Sequence, residues 1–191
     1  LDALRDADGG ADSATDEAGR RFNALRRGRA LRRARGGGVD PHGPRGEELA
    51  WALQCDTQEA LLASALDDSS GTGYGTGFRG WARLRLLGAP LWLRDDDALR
   101  ALVDGAARAE FAATRDPAGE NPCALLFVSL GRVGVLAGLF RAVRDARLAE
   151  FFSRDFAEAR HREAALKNAY ALLSKHRYLF AATFFALAGQ P

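Results

Sequence analysis

The stretch that most limits the fold is the last one, "KNAYALLSKHRYLFAATFFALAG" at 167–189. Beyond Arg177 it holds no charge. From Tyr178 to Gly189 there are twelve uncharged residues, about 18 Å of helix at roughly 1.5 Å per residue. A bilayer span needs about 20 residues, and Lys175, His176 and Arg177 stop the upstream helix from extending this one. It is not a membrane anchor. On a helical wheel Tyr178, Ala181, Ala182, Phe185 and Ala188 form one face, and Phe180, Phe184 and Leu187 another. Small residues in the first face let a neighbouring helix approach closely. The preceding helix offers Ala165, Leu166, Ala169, Tyr170, Leu172 and Leu173 as the matching surface. One partner cannot cover both faces, and a helix that is apolar all round is buried between neighbours. The expectation is a helical repeat truncated at its C-terminus, whose second face is completed by helices beyond residue 191, since a repeat unit does not bury its own apolar surface alone.

The rest of the chain reads as helices separated by strong breaks. "EELAWALQC" near Glu47 carries Leu49, Trp51, Ala52 and Leu53 in a near-helical pattern. "DTQEALLASAL" restarts the helix, with Asp56 as N-cap and Glu59 three residues on completing a capping box. "WARLRLLGAPLWLR" is an amphipathic turn, a Gly-Ala-Pro break and a second apolar segment. Asp95 or Asp96 caps "DALRALVDGAARAEFAAT", whose buried stripe is Leu99, Leu102, Val103, Ala106 and Phe111. Asn121 caps the next helix and Pro122 takes its first position. "CALLFVSL", "VGVLAGLFRAV", "ARLAEFF" and "FAEARHREAALKNAYALL" follow, and no run alternates with period two. The predicted fold is all-α, with antiparallel helical pairs stacked as an α-solenoid segment. A disordered tail over 1–45 precedes a helical domain over 46–191, interrupted by a flexible loop at 67–80.

Charge is unevenly placed although the net value is only +2. Residues 1–19 hold six acids and one base, whereas 20–35 hold eight arginines and no acid. Arg20, Arg21, Arg26, Arg27, Arg29, Arg32, Arg33 and Arg35 form a basic patch able to grip nucleic-acid phosphates or an anionic membrane face. Only Phe22 interleaves it, which argues against single-strand stacking. The ordinary alternative is a solvated tail paired loosely with the acids before it. The chain contains no methionine, which suggests part of a longer polypeptide.

Sites for chemistry are weak throughout. "GTGYGTG" at 71–77 does not spell G-x-G-x-x-G in any register and has no preceding strand. His42, His161 and His176 are far apart in sequence, and Cys55 and Cys123 have no ligand at finger spacing. No metal, cofactor or catalytic residue is expected. Asp95, Asp96 and Asp97 read as a helix start. Candidate interaction residues are Trp92, Arg94, Phe151, Phe152, Lys167, Asn168 and Lys175. For the three aromatics, core packing competes with an anchoring role.

"AALKNAYALLSKHRYLFAATFFALAG" and "WARLRLLGAPLWLRDDDALRALVDGAARAEF" together resemble the helical-repeat region of the rabconnectin alpha, or DmX-like, family. "NPCALLFVSLGRVGVLAGLFRAV", "RLAEFFSRDF" and "LAWALQCDTQEALL" fall in the same order, so the resemblance covers about 49–189. It implies a non-catalytic scaffold, because the family's fungal member is the large subunit of the RAVE complex, a regulator of the vacuolar and endosomal proton ATPase. It implies protein partners: cytosolic-sector subunits of that ATPase and a second, propeller-rich subunit. It also implies a cytoplasmic location, peripheral at vacuolar and endosomal membranes, and no cofactor.

Overall fold

Short helices need well-made ends, and in this chain the ends organise the packing. A computed structural model describes residues 14–35, 43–67 and 80–189. Among the described residues the helices are α1 (Glu17–Ala34), α2 (Gly46–Gln54), α3 (Gln58–Asp67), α4 (Trp81–Leu87), α5 (Ala89–Trp92), α6 (Asp96–Thr114), α7 (Cys123–Ser129), α8 (Val133–Ala142), α9 (Ala146–Phe152), α10 (Ala159–Leu173) and α11 (Tyr178–Leu187). No strand occurs among the described residues. The fold is all-α, as the missing period-two patterning predicts. Most of the loop expected at 67–80 lies outside the described residues, as do 1–13. The chain divides into two compact units, Leu1–Leu99 and Arg100–Pro191.

In the first unit, two fifths of the stretch expected to be tail is α1, a helix of 18 residues. Its Phe22 is fully buried and meets Trp92 edge-on, with ring centroids 5.9 Å apart. The adjacent Asn23, also buried, donates to Ser64 Oγ at 3.0 Å. A basic helix with one such anchored face is part of the folded unit, because burying a phenylalanine contributes about 1.5–3 kcal/mol. At its start, Asp16 Oδ1 accepts from Gly19 N–H at 2.8 Å and Oδ2 from Asp56 N–H at 2.7 Å. One carboxylate thus caps α1 and ties it to the α2–α3 turn, and these hydrogen bonds lower its pKa. Between α4 and α5 the chain needs Gly88. Its φ is +64°, and an added Cβ would press into the Pro44 ring and approach Leu49 Cδ2 to 2.9 Å.

In the second unit positive-φ helix stops recur. Gly131, Arg144 and His176 each sit at positive φ, +72°, +64° and +58°. The next residue sends its N–H back across the helix end: Arg132 to Phe127 O at 2.8 Å, Asp145 to Phe140 O at 2.9 Å, Arg177 to Leu172 O at 3.1 Å. These are left-handed helix stops that satisfy otherwise orphaned carbonyls. Each of those second residues is also the N-cap of the following helix. Such tight reversals fold α8 onto α9 and α10 onto α11.

The aromatic core follows from that pairing. Phe140 of α8 stacks on Phe152 of α9 with centroids 5.1 Å apart. Phe184 of α11 meets Phe151 at 5.1 Å and Phe152 at 5.4 Å, and Phe180 lies 6.3 Å from Phe140. This corrects the expectation for α11. The Phe180–Phe184–Leu187 face is buried, its two rings against α8 and α9 of this same unit, rather than left for outside helices. The small-residue side meets α10, where Ala165 and Ala169 are fully buried and Tyr170 packs edge-on against Phe185 at 5.2 Å. What stays open is a third side. Tyr178 is 60% exposed and Tyr170 59%, beside the half-open Leu173 and Leu179.

Candidate functional site

The candidate interaction residues separate cleanly by burial. Trp92 is a core residue whose indole N–H donates to Leu87 O at 2.9 Å. Phe151 and Phe152 belong to the α8–α9–α11 cluster, and Phe152 is almost fully buried. None of the three is available to a partner, because each already fills the space between helices. Arg94 is exposed but occupied: its Nη2 donates to Cys55 O at 2.7 Å and lies 3.4 Å from Asp56. Its backbone N–H donates to Gln58 Oε1 at 2.9 Å. Asp56 is therefore set against Arg94, while α3 begins two residues later. Gln58, a buried amide no motif flags, also donates to Ala52 O at 3.0 Å and Trp92 O at 2.7 Å. This network splices α2, α3 and α5, and a cleft of about 450 Å³ beside it is lined by 56–60 and 93–95.

Lys167, Asn168 and Lys175 do face solvent. Asn168 donates to Ala164 O at 2.8 Å, one turn back on α10. Lys175 opens the turn into α11, followed by His176, whose Nδ1 lies 2.8 Å from the Tyr178 hydroxyl. Arg177 donates to Ala118 O and places its guanidinium 5.1 Å from the Phe180 ring centre. A cleft of about 360 Å³ lies here, lined by Gly119, Glu120 and His176–Phe180. The exposed Tyr170 and Leu173 belong to the same helical hairpin. This gives an aromatic and aliphatic surface with a basic rim.

Cys55 and Cys123 are both fully buried. Desolvation raises both thiols, Cys123 to about 12, so they stay protonated near neutral pH. No group of three or more potential ligands gathers among the described residues. His161 Nδ1 lies 2.6 Å from Asp155 O, while His42 and the 71–77 loop lie outside the described residues. Asp95 is the helix cap, accepting from Ala98 N–H at 2.6 Å. No helix among the described residues is long and apolar enough to cross a membrane.

The family described as "RAVE protein 1 C terminal" matches residues 8–191, nearly the full length. The chain belongs to this family. DmX-like protein 1 of Homo sapiens is 35% identical over 145 residues, which cover 74% of this chain and 4% of that protein. The Regulator of V-ATPase in vacuolar membrane protein 1 of Saccharomyces cerevisiae is 35% identical over 146 residues, 73% of this chain and 10% of that protein. Its Schizosaccharomyces pombe counterpart is 31% identical over 145 residues, 74% and 11% respectively. The chain thus spans only a small part of the curated relatives it matches. The resemblance drawn from residues 49–189 holds, and the family match reaches further toward the N-terminus, across α1.

In this RAVE protein 1 C-terminal member the arginine-rich segment is divided between structure and surface. Arg29 turns inward: its Nη2 lies 3.2 Å from Glu48 and its Nη1 donates to Gly43 O at 3.2 Å. Glu48 also accepts from Arg45 N–H at 3.1 Å, completing a capping box for α2. Arg21 pairs with Glu17 at 2.7 Å and covers the Trp51 ring at 4.6 Å. Arg26 lies over Phe22 at 5.6 Å. Arg20 donates only to the Thr15 carbonyl, and Arg32 and Arg35 are exposed. Arg27 is half-buried, and the Arg33 side chain lies outside the described residues.

Proposed function

We propose that this chain is a non-catalytic scaffold segment, through which a regulator of the vacuolar and endosomal proton ATPase makes the protein contacts that promote assembly of that enzyme. The observation that carries the reading is the match of residues 8–191 to the RAVE protein 1 C-terminal family, with relatives named as V-ATPase regulators. The partners proposed are cytosolic-sector subunits of the ATPase and a second, propeller-rich subunit, met in the cytoplasm beside vacuolar and endosomal membranes. The α10–α11 hairpin is the preferred contact surface: Tyr170, Leu173, Tyr178 and Leu179 present apolar area, and Lys167, Asn168 and Lys175 rim it. Aromatic groups of this kind dominate binding energy when a partner desolvates them.

The test is affinity capture with the full-length parent protein from cell lysate, read by identification of ATPase cytosolic subunits. The Tyr178→Asp/Leu179→Asp variant should lose that capture while keeping its helicity. Capture undiminished by that variant would move the contact elsewhere, and recovery of no ATPase subunit at all would sink the scaffold reading.

A further inference from the structure

The outward face of α1 is rich in arginine. Phe22 and Asn23 point inward, and Arg29 is neutralised there by Glu48. The helix is about 27 Å long at roughly 1.5 Å per residue. Its opposite side carries exposed Arg20, Arg21, Ala24, Leu31, Arg32 and Arg35. Arg20, Arg32 and Arg35 make no ion pair among the described residues, so their charge is not consumed by the fold. Leu31 is 49% exposed beside them. A helix face with unpaired arginines around a bare leucine suits an interface that is anionic outside and apolar beneath.

We propose that this face of α1 docks on an anionic lipid bilayer, with Arg20, Arg32 and Arg35 on headgroup phosphates and Leu31 in the headgroup–acyl boundary. Guanidinium forks match phosphate oxygens in two-point hydrogen bonds, and their aliphatic stems lie along apolar surface while the heads stay wet. A bilayer suits the face better than nucleic acid does. Base stacking needs open rings, but Phe22 is buried and Trp51 lies under Arg21. An exposed leucine between arginines is rewarded by lipid and contributes nothing to a phosphate backbone. The inference is independent of the scaffold reading, since it concerns the first unit and a lipid rather than the α10–α11 hairpin and a protein.

The experiment is flotation of the full chain with vesicles of phosphatidylcholine, alone or with about a fifth phosphatidylserine. Binding is expected only to the acidic vesicles and should fall sharply when salt is raised to roughly 0.5 M. Each basic residue near such a surface is worth about fivefold in binding. Arg32→Gln/Arg35→Gln should therefore weaken it by roughly thirtyfold, and Arg32→Glu/Arg35→Glu should abolish it. The charge-matched control Arg100→Glu/Arg147→Glu, at two exposed positions of the second unit, should bind as the parent does. Circular dichroism melting of every variant checks that the helices persist. No flotation with acidic vesicles, equal loss in the control pair, or displacement from vesicles by single-stranded RNA at lower concentration than soluble phosphatidylserine would each overturn the proposal.

Discussion

One of the contacts that seat α1 is the buried Arg29–Glu48 ion pair, and its removal has a calculable effect. Glu48 has a side chain only 3% exposed and Arg29 one that is 14% exposed, 3.2 Å apart. Replacing Glu48 by Leu strands a guanidinium that cannot lose its proton, with the Gly43 carbonyl as its remaining acceptor. Breaking such a pair from one side costs roughly 3–5 kcal/mol. Arg29 keeps some water, so the lower end applies: about 3 kcal/mol, or about 6–12 °C in Tm for a chain of this size. Replacing Arg29 by Met leaves the Glu48 carboxylate its Arg45 N–H donor, so the loss is smaller, about 2 kcal/mol. The Arg29→Met/Glu48→Leu double variant removes both charges and should lie within about 1 kcal/mol of the parent. Urea unfolding followed by far-ultraviolet circular dichroism measures all four corners of the cycle. If the two single losses simply add in the double variant to within about 0.5 kcal/mol, the pair is not coupled and the reasoning fails.

Phe184→Ala should cost about 3–5 kcal/mol because its ring is enclosed by Phe151, Phe152 and Phe180, whereas the exposed Tyr178→Ala should stay within about 0.5 kcal/mol; chemical denaturation separates them, and equal losses would refute the packing. Arg144→Gly relieves a side chain held at φ +64°. After the extra freedom given to the unfolded chain, a net gain of about 0.5 kcal/mol is expected, and a lowered melting temperature would contradict it. The two cysteines should resist thiol reagents in the native chain and react once it is unfolded. Because burial raises their pKa, to about 12 for Cys123, the unfolded thiol ionises first. The stability they contribute is complete below about pH 8.5 and declines as pH rises from there toward 12, a slope that Cys123→Ala should reduce.

Helix identity was legible because local rules decide it. The Gly-Ala-Pro break and the Asp95 cap are set by residues within a few positions of one another; Asn121 accepts from Cys123 N–H at 3.0 Å, although Pro122 and not Asn121 holds the cap position of α7. The left-handed stops at Arg144 and His176 were hidden, since nothing in an arginine or histidine announces positive φ. The Asp56 cap failed as a reading for a different reason: α3 begins only at Gln58, which leaves Asp56 outside the cap position with its carboxylate 3.4 Å from Arg94.

By itself the sequence determined that this chain is helical, that its terminal apolar run is too short to cross a bilayer, and which family it joins. These follow from periodicity, length and order along the chain, all of which are one-dimensional. Only the tertiary structure decided which aromatic rings are core and which arginines remain for a partner. An arginine at 29 and one at 32 look alike in the sequence. One meets a buried glutamate 19 positions away and the other meets water, because electrostatic pairing acts through space and is set by how α1 lies on α2.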